Sequence, residues 1–216
     1  PTHGRSTMEI LRAPGFEEYS EAFAVVSAGL RRGDSFLANL TASSEVTVNV
    51  SLEGIFHDSP ARFKFKIGDE FVCFSPEPFV TINGCKISTY PMKGTAEGCS
   101  RMALRQLMDD YKEQCEHATV VDLLRNDLAM VATGVTVKRY RYAEVVHTLK
   151  GTLLQTSSEI TGNLEPEWSA GMGSIIMSML PAGSICGAPK QSTVDLIGRA
   201  ERCGRGWYTG VAGYFD

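Results

Sequence analysis

The chain has 216 residues, of which 43% are apolar and 21% charged, and its formal net charge at pH 7 is −4. This composition is typical of a globular protein long enough to bury a core without disulfide or metal support. The negative net charge gives no reason to expect a nucleic acid or an acidic membrane surface as a partner.

The predicted elements begin with an amphipathic helix over residues 17–32, which Gly33-Asp34 is expected to end. Residues 36–92 are rich in short β-type runs, and Asn83-Gly84 is a strong hairpin signal between two of them. These runs are VTVNV (46–50), RFKFKI (62–67), EFVCF (70–74) and FVTI (79–82). This part of the chain is therefore predicted to form an antiparallel sheet of hairpins.

The second half of the sequence is predicted to be mainly helical, over residues 100–132, 171–180 (apolar and buried) and 190–201. VTVKRY (135–140) is a short β-like stretch that leads into a mixed region, and the last residues, WYTGVAGYFD, look like a strand entering a turn. Strands followed by helices favour the α+β class. Because the final strand has no return strand after it, we expect the chain to stop before its natural end.

The cysteines and histidines do not suggest a zinc site. The six cysteines form no C-x-x-C pair, and only four histidines accompany them. Scattered cysteines favour a reducing compartment, so we expect a cytoplasmic protein. The apolar runs are shorter than the roughly 20 residues that a membrane helix needs.

Lys93 is the first candidate for chemistry, in YPMKGT (90–95) at the predicted end of a strand. The glycine after it allows the backbone to approach a ligand closely. Partial burial would favour the neutral amine, which can attack an electrophile or take up a proton. A solvated lysine in a turn is the alternative.

Two acidic clusters lie on the predicted helix over residues 100–132. Glu113 and Glu116 are three residues apart, so their carboxylates share a face that could bind Mg²⁺, divide into a ligand and an acid, or simply be solvated. Asp122, Arg125 and Asn126 also share a face, inside an apolar segment. Buried charges must be paired, so we interpret this second cluster as a structural ion-pair network.

The small-residue segment 181–190, PAGSICGAPK, precedes a predicted helix. Free backbone N–H groups at a helix start can bind a carboxylate or phosphate, although the segment lacks the ending of a P-loop. A well-capped helix is the equal alternative. His147 lies in an apolar setting, where a histidine is more often part of the core than a catalyst.

Seven segments resemble, in order and spacing, the chorismate-binding enzymes that include anthranilate synthase component I and aminodeoxychorismate synthase component I. They are GDSFLANLT (33–41), FSPEPFV (74–80), YPMKGT (90–95), KEQCEH (112–117), VVDLLRNDL (120–128), PAGSICGAPK (181–190) and RGWYTGVAGYF (205–215). The resemblance implies one chorismate-binding domain over residues 1–216, which is expected to be partial because the C-terminal strands of the family fold are missing. Its expected fold is a sandwich of two large antiparallel sheets, with helices outside and the site between the sheets.

The same resemblance implies roles for individual residues. Glu116 corresponds to a Mg²⁺ ligand, Glu113 to a nearby carboxylate that acts as an acid or helps to hold the metal, and His147 to a histidine beside the substrate ring. The implied substrate-binding residues are Thr95, Ser184, Gly187, Ala188 and Tyr208. The residues after His147 depart from the family pattern.

Lys93 indicates the aminodeoxychorismate branch of the family, because anthranilate synthases are similar but carry alanine at this position. The resemblance implies that the lysine amine attacks C2 of chorismate as the C4 hydroxyl leaves, and that ammonia then adds at C4 and displaces the lysine. A glutamine amidotransferase partner would supply the ammonia, and the product would feed p-aminobenzoate and folate synthesis. Anthranilate synthase component I and a non-catalytic module that keeps the fold are the alternatives.

Two departures from the family pattern bear on activity. Residues 96–100 lack the usual arginine, and later segments with a carboxylate-binding arginine and a further Mg²⁺-binding glutamate are not found in the sequence. We therefore expect the 216-residue chain by itself to be weakly active or inactive.

Overall fold

The computed structural model describes residues 7–61, 63–148 and 151–215, apart from the side chains of residues 147 and 148. The chain divides into two compact units, a first unit of residues 1–77 with 191–216 and a second unit of residues 78–190. The α+β class is confirmed. The helices are α1 (Phe16–Arg32), α2 (Leu52–Asp58), α3 (Arg101–Asp109), α4 (Tyr111–Ala129), α5 (Met172–Met179), α6 (Gly183–Cys186) and α7 (Lys190–Ala200).

The described residues contain eleven strands, and those that pair within one unit are antiparallel. The strands are β1 (Met8–Arg12), β2 (Leu37–Ala38), β3 (Glu45–Val48), β4 (Lys64–Ile67), β5 (Phe71–Phe74), β6 (Thr81–Asn83), β7 (Lys86–Thr89), β8 (Met92–Glu97), β9 (Thr133–Thr148), β10 (Gly151–Asn163) and β11 (Gly187–Ala188). In the first unit β1 pairs with β3, and β4 pairs with β5.

The first unit is held together around α1 and α7. Gly33 ends α1 as predicted, with φ of +80° and its N–H donated to the carbonyl of Leu30 at 3.1 Å. A Cβ on Gly29 would lie 2.6 Å from a methyl carbon of Leu196, so a larger residue here would displace the Leu196 side chain. The Ser35 and Thr193 hydroxyls, both buried, meet at 2.7 Å.

A buried ion pair in the first unit joins two of the segments that resemble the family. Glu201 Oε1 lies 2.6 Å from Arg205 Nη2 and accepts hydrogen bonds from the backbone N–H and hydroxyl of Thr41, each at 3.0 Å. Burial acts to raise the pKa of Glu201, but Arg205 and Thr41 outweigh it and hold that pKa below its ordinary value.

The second unit is built on a five-stranded antiparallel sheet with β10 at its centre. One edge of β10 pairs with β9 along its length, and the other edge pairs with β8 and then with β7, which pairs with β6. Helix α4 packs on this sheet. The core residues are Ile87, Val121, Leu124, Leu128, Ile160, Leu164 and Met179. The described residues do not form a second sheet of comparable size.

Several predicted elements are confirmed, among them α1 and the β6–β7 hairpin, in which Asn83 lies opposite Lys86. The predicted helix over residues 100–132 is two helices, because Asp110 ends α3 and caps α4. Helix α2 and most of the β9–β10 hairpin were not predicted. The strand predicted at 207–216 is wrong within the described residues, since 205–210 form turns that include an N–H bond from Tyr208 to Arg205 O at 3.0 Å.

The stretch Trp168–Cys186 is apolar and long enough to cross a membrane by length and composition, with a mean hydropathy of 1.3. The structure breaks it into a 3₁₀ helix (Trp168–Gly171), α5 and α6, with Leu180, Pro181 and Ala182 between the last two. Met179 is buried in the core, and Trp168 and Ile176 pack against that core. An eight-residue helix rises only about 12 Å, so α5 belongs to the fold of the second unit.

Candidate functional site

Lys93 lies in a β-bulge on β8. Thr95 pairs with Gln155 and Met92 pairs with Ser157, so Lys93 and Gly94 together lie opposite Thr156. Gly94 adopts a φ of +87°, which a residue with a side chain rarely adopts. Bulges of this kind redirect side chains and are common next to active sites.

Gly94 is also tightly surrounded. A Cβ at this position would lie 2.8 Å from Glu113 Oε2 and 3.3 Å from both Leu107 Cδ1 and Thr156 Oγ1. The group nearest to this glycine is the carboxylate of Glu113, and the close approach of a ligand at this position stays a prediction.

The side chain of Lys93 reaches Glu116, with 3.2 Å between Nζ and Oε2. It is 44% exposed, so the expected partial burial is not found. Lys112 lies 3.5 Å from the other oxygen of Glu116. The hydrogen bond from Lys93 is the largest influence on Glu116 and holds its pKa below the ordinary value.

Helix α4 places both candidate carboxylates on the side facing the bulge. Asp110 caps the helix by accepting the N–H of Glu113 at 3.0 Å, and Glu116 follows almost one turn later. Lys93, Glu113 and Glu116 therefore form one cluster, which we call the bulge site. Among the described residues no group of three acidic, histidine or cysteine side chains could hold a metal ion. The two glutamates still fit Mg²⁺, which commonly takes one or two protein carboxylates together with substrate oxygens and water.

Thr95 and His147 lie on neighbours of β10 in the same sheet. Thr95 is exposed on β8 opposite Gln155, and the backbone of His147 lies on β9 opposite Thr152. The side chain of His147 lies outside the described residues, so its assigned role stays a prediction.

Ser184, Gly187 and Ala188 belong to a second cluster, at the other end of α4. Asp127 accepts the N–H of Gly183 at 2.6 Å and lies 2.8 Å from the ammonium of Lys190. Asp127 is eleven residues after Glu116, which is about 16 Å along the helix. The segment predicted to offer N–H groups to an anion thus gives that of Gly183 to the protein's own carboxylate. Tyr208 is exposed in the first unit.

The polar cluster on α4 was assigned to the wrong environment. Arg125 pairs with Asp122 at 2.7 Å and donates to Asn126 at 3.4 Å, as the spacing predicts, but the pair is exposed. The buried carboxylate of this segment is Asp127, one residue further along.

The sequence analysis missed His117, which is fully buried beneath the bulge. Its Nδ1 lies 3.4 Å from the carbonyl oxygen of Lys93, and its Nε2 lies 2.7 Å from Ser158 Oγ. Burial lowers the pKa of His117. A signal was present, because His117, Val121, Leu124 and Leu128 form one buried stripe at helical spacing.

Comparisons with known proteins identify the family. Residues 1–216 match the family model described as chorismate binding enzyme. The chain belongs to the chorismate-binding enzyme family. The predicted family resemblance is therefore confirmed, while the aminodeoxychorismate branch stays a prediction.

Two named relatives show the range of similarity. The chain is 50% identical over 201 residues to an "Uncharacterized PabA-like protein" of Haemophilus influenzae, in a match that covers 93% of this chain and 61% of that protein. It is 33% identical over 218 residues to an "Anthranilate synthase component 1 1" of Haloarcula marismortui, which covers 92% and 42%. The chain thus spans about three fifths or less of the length of these relatives.

A solved structure supports the fold. The chain matches MenF, described as the menaquinone-specific isochorismate synthase of Escherichia coli, with a TM-score of 0.69 and 17% identity. The match covers 93% of this chain and 47% of MenF. At this identity the likeness concerns the fold alone, and it agrees with the fold that the sequence predicted.

Proposed function

We propose that the protein aminates chorismate to 4-amino-4-deoxychorismate, with Lys93 as the nucleophile and ammonia from a glutamine amidotransferase partner. The observation that carries this proposal is the bulge site, where Lys93 leaves the strand toward Glu116 and the neighbouring Gly94 lies close to Glu113 of the same helix. An amine beside carboxylates, on a bulge held by a packed sheet, is an arrangement suited to nucleophilic catalysis.

The proposed reaction exchanges one substituent of the ring. The neutral amine of Lys93 attacks C2, the ring double bonds shift, and the C4–O bond breaks; Glu113 is the proposed acid that lets the hydroxyl leave as water. Ammonia then adds at C4, the double bonds shift back, and the C2–N bond to Lys93 breaks. The net products are 4-amino-4-deoxychorismate and water.

Glu116 would hold Mg²⁺ through its carboxylate, and the bound ion would neutralise the charge of the ring carboxylate. The ammonium of Lys93 must lose its proton before attack, and it must leave Glu116, 3.2 Å away, to reach the substrate. We propose that Thr95, Ser184, Gly187, Ala188, His147 and Tyr208 contact the substrate, as the family resemblance implies.

The name of the Haemophilus relative gives modest support to a p-aminobenzoate pathway. The named anthranilate synthases support the second candidate, conversion of chorismate to anthranilate. Lys93 favours the first candidate, since the resemblance implies alanine at this position in anthranilate synthases.

Product identity tests the proposal. The complete protein as its gene encodes it would be given chorismate, Mg²⁺ and ammonia, alongside its Lys93→Ala and Lys112→Ala variants, and the products separated by chromatography. Lys112 is the matched control, because it too is a lysine beside Glu116. We expect aminodeoxychorismate from the parent and from Lys112→Ala, and little from Lys93→Ala.

Other products would favour a different function or contradict the proposed role of Lys93. Anthranilate as the product would favour the second candidate. Isochorismate, or a product that forms equally well without Lys93, would contradict the proposed role of the lysine. A protein with no product and no chorismate-dependent rise in Tm would favour a non-catalytic module.

A further inference from the structure

At the bulge that carries Lys93, side chains take the place of a backbone donor for the Lys93 carbonyl. Because Lys93 and Gly94 share one partner residue, Thr156, the regular ladder of backbone hydrogen bonds is interrupted there. A carbonyl group in a packed sheet needs a donor, since leaving it without one costs as much as a lost hydrogen bond.

Two side chains supply donors to the carbonyl oxygen of Lys93. The hydroxyl of Thr156 donates to it from β10, and Nδ1 of His117 lies 3.4 Å from it on α4. Both side chains are fully buried, so water does not compete for the carbonyl on that side. The backbone of Lys93 is therefore held from the sheet and from the helix at once.

The hydrogen bonds behind His117 assign its tautomer. A carbonyl oxygen only accepts, so the nitrogen facing Lys93 must carry the proton. On the other side, Ser158 Oγ accepts the N–H of Arg141 at 2.8 Å and lies 2.7 Å from His117 Nε2. The Ser158 hydroxyl therefore donates to Nε2, which leaves Nδ1 as the nitrogen that donates to the Lys93 carbonyl.

Arg141, at the other end of this series of hydrogen bonds, is also held by the fold. The guanidinium of Arg141 donates to the carbonyls of Leu107 and Met108 at 2.7 and 2.6 Å, at the end of α3. Leu107 in turn packs against Gly94. The bulge is thus enclosed by fixed groups, which leaves the Lys93 side chain directed to the exposed side, toward Glu116.

We propose that His117 and Thr156 are positioning residues for Lys93, holding its carbonyl oxygen in the bulge and thereby fixing the direction in which its amine leaves the strand. The importance of that direction for catalysis rests on the proposed function. The hydrogen bonds to the Lys93 carbonyl do not depend on it.

Matched substitutions separate positioning from general support of the fold. Thr156→Ser keeps the hydroxyl donor, whereas Thr156→Val keeps the shape and loses it. In His117→Asn the amide nitrogen can take the place of Nδ1, whereas in His117→Gln it reaches the place of Nε2 and faces Ser158 instead.

We expect kcat for amination to fall about 10- to 100-fold in Thr156→Val and His117→Gln, with little change in KM for chorismate, because a misplaced amine slows the chemical step. Thr156→Ser and His117→Asn should recover most of the loss. Full kcat in both Thr156→Val and His117→Gln would overturn the proposal.

Two structural measurements do not depend on activity. Nitrogen-15 NMR of the complete wild-type protein should show His117 protonated at Nδ1 and not at Nε2; protonation at Nε2 alone would overturn the proposal without any substitution. Crystal structures should show the contact between Lys93 and Glu116 kept in Thr156→Ser and His117→Asn and lost in Thr156→Val and His117→Gln. If the wild type makes no aminodeoxychorismate, the proposed function fails, while these measurements still decide whether the carbonyl is held as proposed.

Discussion

Two carboxylates of helix α4 each pair with a lysine from another element, and the two ion pairs differ in burial and in their further contacts. At the beginning of α4, Lys93 and Glu116 are 3.2 Å apart and 44% and 36% exposed. Near its end, Lys190 and Asp127 are 2.8 Å apart and 25% and 8% exposed. The first pair belongs to the bulge site, and the second lies beneath the small-residue segment that contains Ser184.

The two pairs also differ in what else their charges contact. Asp127 accepts the N–H of Gly183, and Lys190 donates to the carbonyl of Met179, so both charges of the inner pair have further partners in the fold. In the outer pair, the further contact that the structure shows for Glu116 is Lys112, on its own helix. The inner pair thus fixes one segment to another, whereas the outer pair can part when a substrate or an ion arrives.

Residue types and spacing therefore do not decide whether a charged pair stabilises the fold or takes part in catalysis. Burial and the number of additional hydrogen bonds decide it, because a desolvated pair is costly to separate and a solvated pair is not. Substituting both lysines by methionine, which keeps most of the side-chain length, tests this difference directly.

Lys93→Met should have the largest effect, and on activity alone. Removing a nucleophile should lower kcat for amination by roughly 10³-fold or more. The free energy of unfolding should change by less than about 1 kcal/mol, because the lost ion pair is exposed. Steady-state kinetics and urea unfolding check the two parts, and a large loss of stability would place Lys93 with the structural lysines.

Lys190→Met should mainly lower the free energy of unfolding rather than the catalytic rate. It leaves the carboxylate of Asp127 buried without its countercharge, and we expect a loss of about 3 kcal/mol in the free energy of unfolding. Any fall in activity should follow from displacement of the Ser184 segment. Urea unfolding of Lys190→Met, of Asp127→Asn and of the double variant gives the coupling between the two residues. A loss near zero for Lys190→Met would contradict the assignment of this pair to structure.

Gly94→Ala should have the next largest effect, a loss of about 2 kcal/mol in the free energy of unfolding. Its φ of +87° is strained for alanine, and its Cβ would lie 2.8 Å from the Glu113 carboxylate. Gly98→Ala is the matched control, since Gly98 has a φ of +75° but no atom within 4 Å of a new Cβ. Equal losses in the two variants would show that the contact with Glu113 is unimportant.

The smallest expected effect is on the titration of Glu116. Its pKa is held below the ordinary value, chiefly by Lys93 and less by Lys112, so it should rise more in Lys93→Met than in Lys112→Ala. Because the folded-state pKa is lowered, the stabilisation exists above the ordinary glutamate pKa and fades as pH falls through the folded-state value. Carbon-13 NMR of the glutamate carboxyls measures this, and an unchanged pKa in Lys93→Met would contradict the contact.

The sequence predicted the fold class because much of the molecule follows simple periodicity. The alternation over residues 62–74 and the Asn83-Gly84 turn correspond to observed strands and a hairpin. The β9–β10 hairpin was mostly missed, because the middle of β10 is Thr156-Ser157-Ser158, three polar residues that are buried. Buried polar residues satisfied by tertiary contacts do not produce the apolar pattern from which strands are predicted.

The bulge site was predictable in its members but not in its geometry. The spacing of Glu113 and Glu116 put them on one face, and the glycine after Lys93 suggested a close approach. The bulge itself depends on the register between β8 and β10, which local sequence does not specify. His117 could have been assigned to the buried face from the stripe it shares with Val121, but its contact with the Lys93 carbonyl required the tertiary structure.

The most direct test of the central claim is to look for the covalent intermediate on Lys93. The complete protein would be incubated with chorismate and Mg²⁺ but without ammonia or glutamine, then digested and analysed by mass spectrometry. We expect the peptide carrying Lys93 to gain the mass of one chorismate less one water, and ammonia to release this adduct as aminodeoxychorismate. Turnover to aminodeoxychorismate in Lys93→Met, or an adduct on a different residue, would contradict this prediction.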